Sequence, residues 1–142
     1  MNTKFTLILT ILIAFSLAFG CTQYPPSSGV PETSAKAAWK AAEPWAIVDW
    51  SRGESGLMVI VQNNSNQSLN LTRFDVSQGD GLDLNVILAP GATRQILALG
   101  LDYCPSNTKY NIDKDAISIT YNTDNILGKN QYGAADIVGT CQ

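Results

Sequence analysis

Three cysteines, no histidine and a scatter of carboxylates bound the chemistry open to this chain of 142 residues. Without histidine there is no Ser-His-Asp or Cys-His nucleophile pair and no common form of catalytic zinc site. Ser106-Asn107-Thr108-Lys109 has the Ser-x-x-Lys spacing of a lysine-activated serine, but the Lys-Thr-Gly partner motif of such sites does not occur in the chain. Asp75, Asp80 and Asp83 with Asn85, or Asp113 with Asp115, supply oxygens of the kind that hold calcium. Neither set has EF-hand spacing, and Asp and Asn in such runs ordinarily build turns. Trp39, Trp45 and Trp50 could stack on a sugar, although in a small domain tryptophan more often fills the core. These residues predict a protein that is not an enzyme, with no cofactor and no metal site.

Three Asn-x-Ser/Thr sequons crowd one turn and strand: Asn63-Asn64-Ser65, Asn66-Gln67-Ser68 and Asn70-Leu71-Thr72. In an exported protein Asn63, Asn66 and Asn70 are candidate N-glycosylation sites, with Asn66 the most accessible because it falls in the turn. The plainer use of the same residues is a polar hairpin.

The N-terminus bears on export. Lys4 precedes an uncharged run over residues 5–20 that reads as a secretory signal. As a helix that run spans about 24 Å, short of the ~30 Å hydrocarbon core. It ends at Gly20-Cys21, the small-residue-then-cysteine junction of bacterial-type lipoprotein signals, so Cys21 is the lipidation candidate. Ala18 and Phe19 stand where such signals usually carry leucine and a small residue. Cleavage after Gly20 without lipid also fits the small-x-small rule, and a retained hydrophobic helix is a further alternative.

Lipid on Cys21 removes the odd thiol of an exported chain and leaves Cys104 and Cys141 to pair. Closing the loop between them is worth about 4 kcal/mol. Nine basic and twelve acidic side chains give a net charge of −3, and loss of Lys4 with the signal makes it more negative. Such a chain has no basic face to displace counterions, so nucleic acid is not expected as a partner.

These features divide the chain into a signal or hydrophobic helix (1–20), a Pro/Ser-rich tether (21–34) and one folded domain (35–142). Ser34 is placed to cap a short alanine-rich helix that Pro44 stops near residue 43. Beyond it, apolar and polar residues alternate in short runs over 45–50, 56–63, 68–76, 82–88, 93–100, 110–122 and 134–140, separated by turn residues such as Pro90-Gly91. The 56–63 run reads as buried on both faces. About seven strands in this length predict an all-β fold, an immunoglobulin-like antiparallel sandwich. The disulfide would pin the last strand to a loop and not cross the core.

Taken in order, Trp39, Pro44-Trp45-Ala46-Ile47, Asp49-Trp50, Asn63-Asn64, Pro90-Gly91, Cys104, Ile117-Ser118-Ile119-Thr120-Tyr121 and Gly139-x-Cys141 resemble the β-sandwich heads of archaeal pilin-like and archaellin-like surface proteins. The resemblance covers residues 39–141 and implies a surface role. Prepilins carry a basic residue and glycine before the hydrophobic helix; this chain begins Met1-Asn2-Thr3-Lys4-Phe5. The expectation is an exported module of the cell envelope, held to the membrane through its N-terminus, with protein or glycan partners at the cell surface and a structural or adhesive role. The alternative is a small lipoprotein that holds a sugar or ion for a transporter or sensor. Intact-mass and N-terminal peptide analysis of protein from its native membrane fraction checks the anchor: the expected mature chain starts at lipid-modified Cys21, whereas a chain starting at Met1 returns the hydrophobic run to a retained helix.

Overall fold

The computed structural model describes residues 30–142 apart from Gln78. The signal run, Cys21 and most of the tether lie outside the described residues. One helix, α1 (Glu32–Lys40), leads into β1 (Trp45–Arg52), β2 (Leu57–Asn63), β3 (Leu69–Val76), β4 (Leu82–Leu88), β5 (Thr93–Ala98), β6 (Lys109–Ile112), β7 (Ile117–Asn122), β8 (Lys129–Tyr132) and β9 (Ile137–Thr140). Among the described residues no helix is long and apolar enough to cross a membrane.

α1 opens three residues before the expected Ser34 cap, inside the stretch read as tether. Pro31 is the N-cap, and its carbonyl accepts from the Ser34 and Ala35 N–H groups at 2.9 and 3.0 Å without a side-chain cap. Glu32 adds negative charge at the positive end of the helix, 3.2 Å from Lys36 one turn on. A nine-residue helix does not hold itself in water. α1 is held by lying on β1 and β9: Ala35 and Trp39 are fully buried, and the Trp39 indole donates to the Ala135 carbonyl at 2.8 Å. Lys36 also donates to Asp49 at 2.9 Å. That bond is the chief reason the Asp49 carboxyl sits below its ordinary pKa and the Lys36 ammonium above its own.

The strands form antiparallel sheets in the orders β1–β2–β5, β4–β3–β7–β8 and β6–β9. The all-β, antiparallel class with one short helix is as expected. Leu57, Val59 and Val61 of β2, Ile96 of β5, Leu69, Leu71 and Phe74 of β3 and Ile117 and Ile119 of β7 share one core. A bulge between Leu71 and Arg73 shifts the β3 alternation by one residue, so Leu71 and Phe74 both point inward. β4 follows its expected pattern, with Asp83, Asn85 and Ile87 turned out.

Three strand expectations differ from the structure. The 110–122 run is two strands, because the Asp113 side chain accepts from the Asp115 N–H at 2.8 Å and caps a 3-10 turn over Lys114–Ala116. Ile112 then pairs with Ile137 of β9, and Ile117 with Val76 of β3. β8 escaped the sequence reading because Lys-Asn-Gln-Tyr has no apolar alternation. It is fixed by its partner β7 and by Gln131, whose side chain accepts from the Trp45 N–H at 2.9 Å and donates to the Trp45 carbonyl at 2.7 Å. β2 is buried on one face only: Met58 is exposed and Ile60 and Gln62 are half-buried. The described residues therefore hold nine strands against the seven expected.

Cys104 and Cys141 lie at disulfide distance, their Cα atoms 6.1 Å apart, between the loop after β5 and the end of β9. Backbone bonds support both ends: Cys104 N–H to the Glu54 carbonyl at 2.8 Å and Cys141 N–H to the Thr108 carbonyl at 2.9 Å. Beside them Arg52, only 5% exposed, has no carboxylate at ion-pair distance among the described residues. It donates to the Asp102 carbonyl at 2.8 Å and lies 5.4 Å over the Tyr110 ring. Gly139 opposes Tyr110 in the register; a Cβ there would press on the ring at 2.9–3.2 Å. Burial pushes the Tyr110 hydroxyl up to about 12.

The Trp50 indole donates to the Val138 carbonyl at 2.9 Å and so ties β1 to β9. Trp50→Phe keeps most of the packing but strands that carbonyl, and it is expected to lower the unfolding free energy by about 1–3 kcal/mol. Urea denaturation followed by circular dichroism checks this.

Candidate functional site

The asparagines singled out for modification turn out to have unlike surroundings. Asn63 is fully buried. Its amide nitrogen donates to the Gln67 and Leu88 carbonyls, each at 2.8 Å, and its side-chain oxygen accepts from the Ser65 N–H and hydroxyl at 2.9 and 2.7 Å. In the folded protein this amide is fully engaged in holding the turn. The signal in the sequence was Asn followed by Ser two residues on, the pattern of an Asx turn. Asn70 lies in β3 between two paired neighbours, and its amide donates to Asn85 at 2.9 Å. Asn66 is exposed in the bend between β2 and β3.

Of the carboxylates considered for calcium, Asp75, Asp83 and Asp113 are engaged. Arg73 donates from Nη1 to Asp83 at 2.6 Å and from Nη2 to Asp75 at 3.0 Å. Those bonds, Asp75 foremost, raise the Arg73 pKa. Gly81 leaves the space the guanidinium fills: a Cβ there would overlap it and Asp75. Asp113 caps the 3-10 turn, and Asp136 accepts from the Lys114 N–H at 3.0 Å. Among the described residues no group of three or more His, Cys, Asp or Glu side chains could hold a metal ion. Ser106 lies in a turn and Lys109 opens β6, so the Ser-x-x-Lys spacing is not at a helix start. All three tryptophans are buried and present no ring for a sugar. Cys104 and Cys141 are the structural pair described above; Cys21 lies outside the described residues.

No protein-family model matches the chain, and no curated protein or solved structure matches it.

Two shallow hollows open on the surface. One, of about 230 Å³, lies by Ser65, Gln67, Thr123 and Lys129. The other, of about 450 Å³, lies between the β1–β2 turn and β5, against Met58, Leu97 and Leu99. The first is lined mainly by polar side chains, Glu43 among them, and the second mainly by small and apolar ones.

The edges differ more than the hollows do. β1 is covered by β9 through Trp50 and meets Gln131 of β8, whereas among the described residues β4 and β5, like β6 and β8, have a strand on one side only. Along β5, Leu97 is 51% exposed and its register partner Met58 37%, with Leu99 just beyond at 54%. At the β7–β8 tip Ile126 and Leu127 are exposed on a turn held by Thr123 and Asn122, the Thr123 N–H donating to the Ile126 carbonyl at 2.9 Å and the Gly128 N–H to Asn122 at 2.8 Å. The sequence reading had Leu97 and Leu99 in a strand but carried no signal that their face is uncovered.

Asn63→Ala removes donors from two carbonyls and the acceptor for Ser65. Each buried partner left without a bond costs about 1–3 kcal/mol, so this variant is expected to be less stable than Asn66→Ala by at least 2 kcal/mol in matched urea titrations, about the cost of two such partners.

Proposed function

We propose that the protein is an exported, non-enzymatic surface module, anchored at the membrane through its N-terminus, that works by associating with neighbouring polypeptides along β5. The observation that carries this reading is the apolar strip of Met58, Leu97 and Leu99 beside an unpaired strand edge. Such an edge presents backbone N–H and C=O groups to a further strand, and adjoining apolar side chains supply area to bury.

The fold supports the reading. We propose that β1, β2 and β5, neighbours in one sheet, correspond to strands A, B and E of an immunoglobulin-like sandwich, and β3, β4, β7 and β8 to C, C′, F and G. On this proposal seven strands make the sandwich, and β6 and β9 are an added pair that covers the β1 edge. The resemblance to archaeal pilin-like heads points to the same surface role, with lipid on Cys21 in place of a retained filament helix. Buried tryptophans and shallow hollows favour association over the alternative, a lipoprotein that holds a sugar or ion.

Site-specific photo-crosslinking of the full chain in its native membrane fraction tests this. A probe at position 97 is expected to capture a neighbouring polypeptide. Leu99→Lys is expected to cut that yield at least fivefold, with the melting temperature unchanged. Equal, background-level capture from positions 97 and 109 in intact membranes overturns the reading.

A further inference from the structure

We infer that the folded protein carries a single N-linked glycan, at Asn66. The argument rests on which sequon keeps its amide nitrogen and its hydroxyl available once the chain is folded.

At Asn63 the amide nitrogen is buried and bonded to two carbonyls, and Ser65, the hydroxyl residue of that sequon, bonds to Asn63 itself and to the Gln67 carbonyl. A sugar on that nitrogen would break two buried bonds and require space in the core. At Asn70 the sequon lies within β3, paired on both sides. Its middle residue Leu71 is fully buried, its amide is given to Asn85, and Thr72 donates its hydroxyl to the Thr120 carbonyl at 3.0 Å. Drawing that segment into a transferase would unzip a central strand.

Asn66, Gln67 and Ser68 are all exposed and lie between the strands, with neither the Asn66 amide nor the Ser68 hydroxyl hydrogen-bonded among the described residues. The bend does not depend on them, because it is held by Asn63 and Ser65. The co-reactant is a lipid-phosphate-linked oligosaccharide. The Asn66 Nδ2–C1 bond forms as the C1–O bond to phosphate breaks, the lipid phosphate leaves with the electron pair, and the amide proton passes to a base of the transferase. No oxidant or reductant is needed.

The position is compatible with association along β5. β2 pairs with Ala98 at its Leu57 end and reaches the Asn66 bend from its Asn63 end, so the glycan would stand about 20 Å along the strand from the apolar strip.

The inference rests on export, and the experiment separates the two. Glycopeptide mapping and intact mass are measured on the full chain from its native cells, with Asn66→Gln, Ser68→Ala and Asn70→Gln variants alongside. The expected result is one glycan increment at Asn66, abolished by Asn66→Gln and by Ser68→Ala and unchanged in Asn70→Gln. A processed, envelope-located chain with bare Asn66 overturns the glycan assignment while export stands. An unprocessed cytosolic chain with bare Asn66 overturns both, and occupancy at Asn63 or Asn70 overturns the accessibility argument.

Discussion

The buried amide of Asn63 is the constraint on which the arrangement of the sheets depends. Both connections that cross between the two larger sheets at this end of the molecule, β2 to β3 and β4 to β5, are tied to it. Its side chain holds the Gln67 and Leu88 carbonyls. Its main chain donates to the Ala92 carbonyl at 3.0 Å and accepts from the Gly91 N–H at 2.7 Å. Asn64 extends the knot to the helix, its amide donating to the Lys40 and Ala42 carbonyls and its N–H to the Pro44 carbonyl. A buried polar group is tolerable only when its bonds are made. Here the made bonds also set which turn meets which, so the cost of any other arrangement enforces this one.

The opposite end is secured by different means. Arg52 is a buried cation with a carbonyl and an aromatic ring for partners, and the Cys104–Cys141 pair joins the loop it touches to the end of the chain. Removing a partner from a buried charge is costly. The Asp102 carbonyl, the Tyr110 ring and the space left by Gly139 therefore support one another. Between the two ends, indole N–H groups bind α1 and β1 to the segment around β9. Tryptophan serves here both as apolar bulk and as a directed donor.

This use of polar groups has a functional corollary. Asp75 and Asp83 hold Arg73, Asp113 and Asp136 hold the 3-10 turn, and Lys36 holds Asp49. These charged side chains are occupied in shaping the surface. Among the described residues backbone is left open at sheet edges that include β4 and β5, with exposed apolar side chains beside both, Ile87 on β4 and Leu97 and Leu99 along β5.

Alternation and turn residues were enough, from sequence alone, to define the all-β class, most strand positions and the residues facing the core, because a strand with one buried face must repeat every two residues. Cysteine arithmetic, on the expectation of export with lipid on Cys21, pointed to Cys104 and Cys141, which the fold brings to disulfide distance. Three things required the tertiary structure. The bulge at Thr72 and the break after Ile112 change which face a residue occupies, and local pattern continues through both. β8 has no apolar code, being specified by pairing with β7 and by the bonds of Gln131 to Trp45, 86 residues away in the chain. The surroundings of Asn63, Asn66 and Asn70, identical in their sequon pattern, are set apart by burial and by which hydrogen-bond partners lie within reach. The exposure of Met58, Leu97 and Leu99 was settled the same way: an apolar residue in a strand reads alike whether or not another layer covers it, and only the packing of the sheets determines that none of the described residues does.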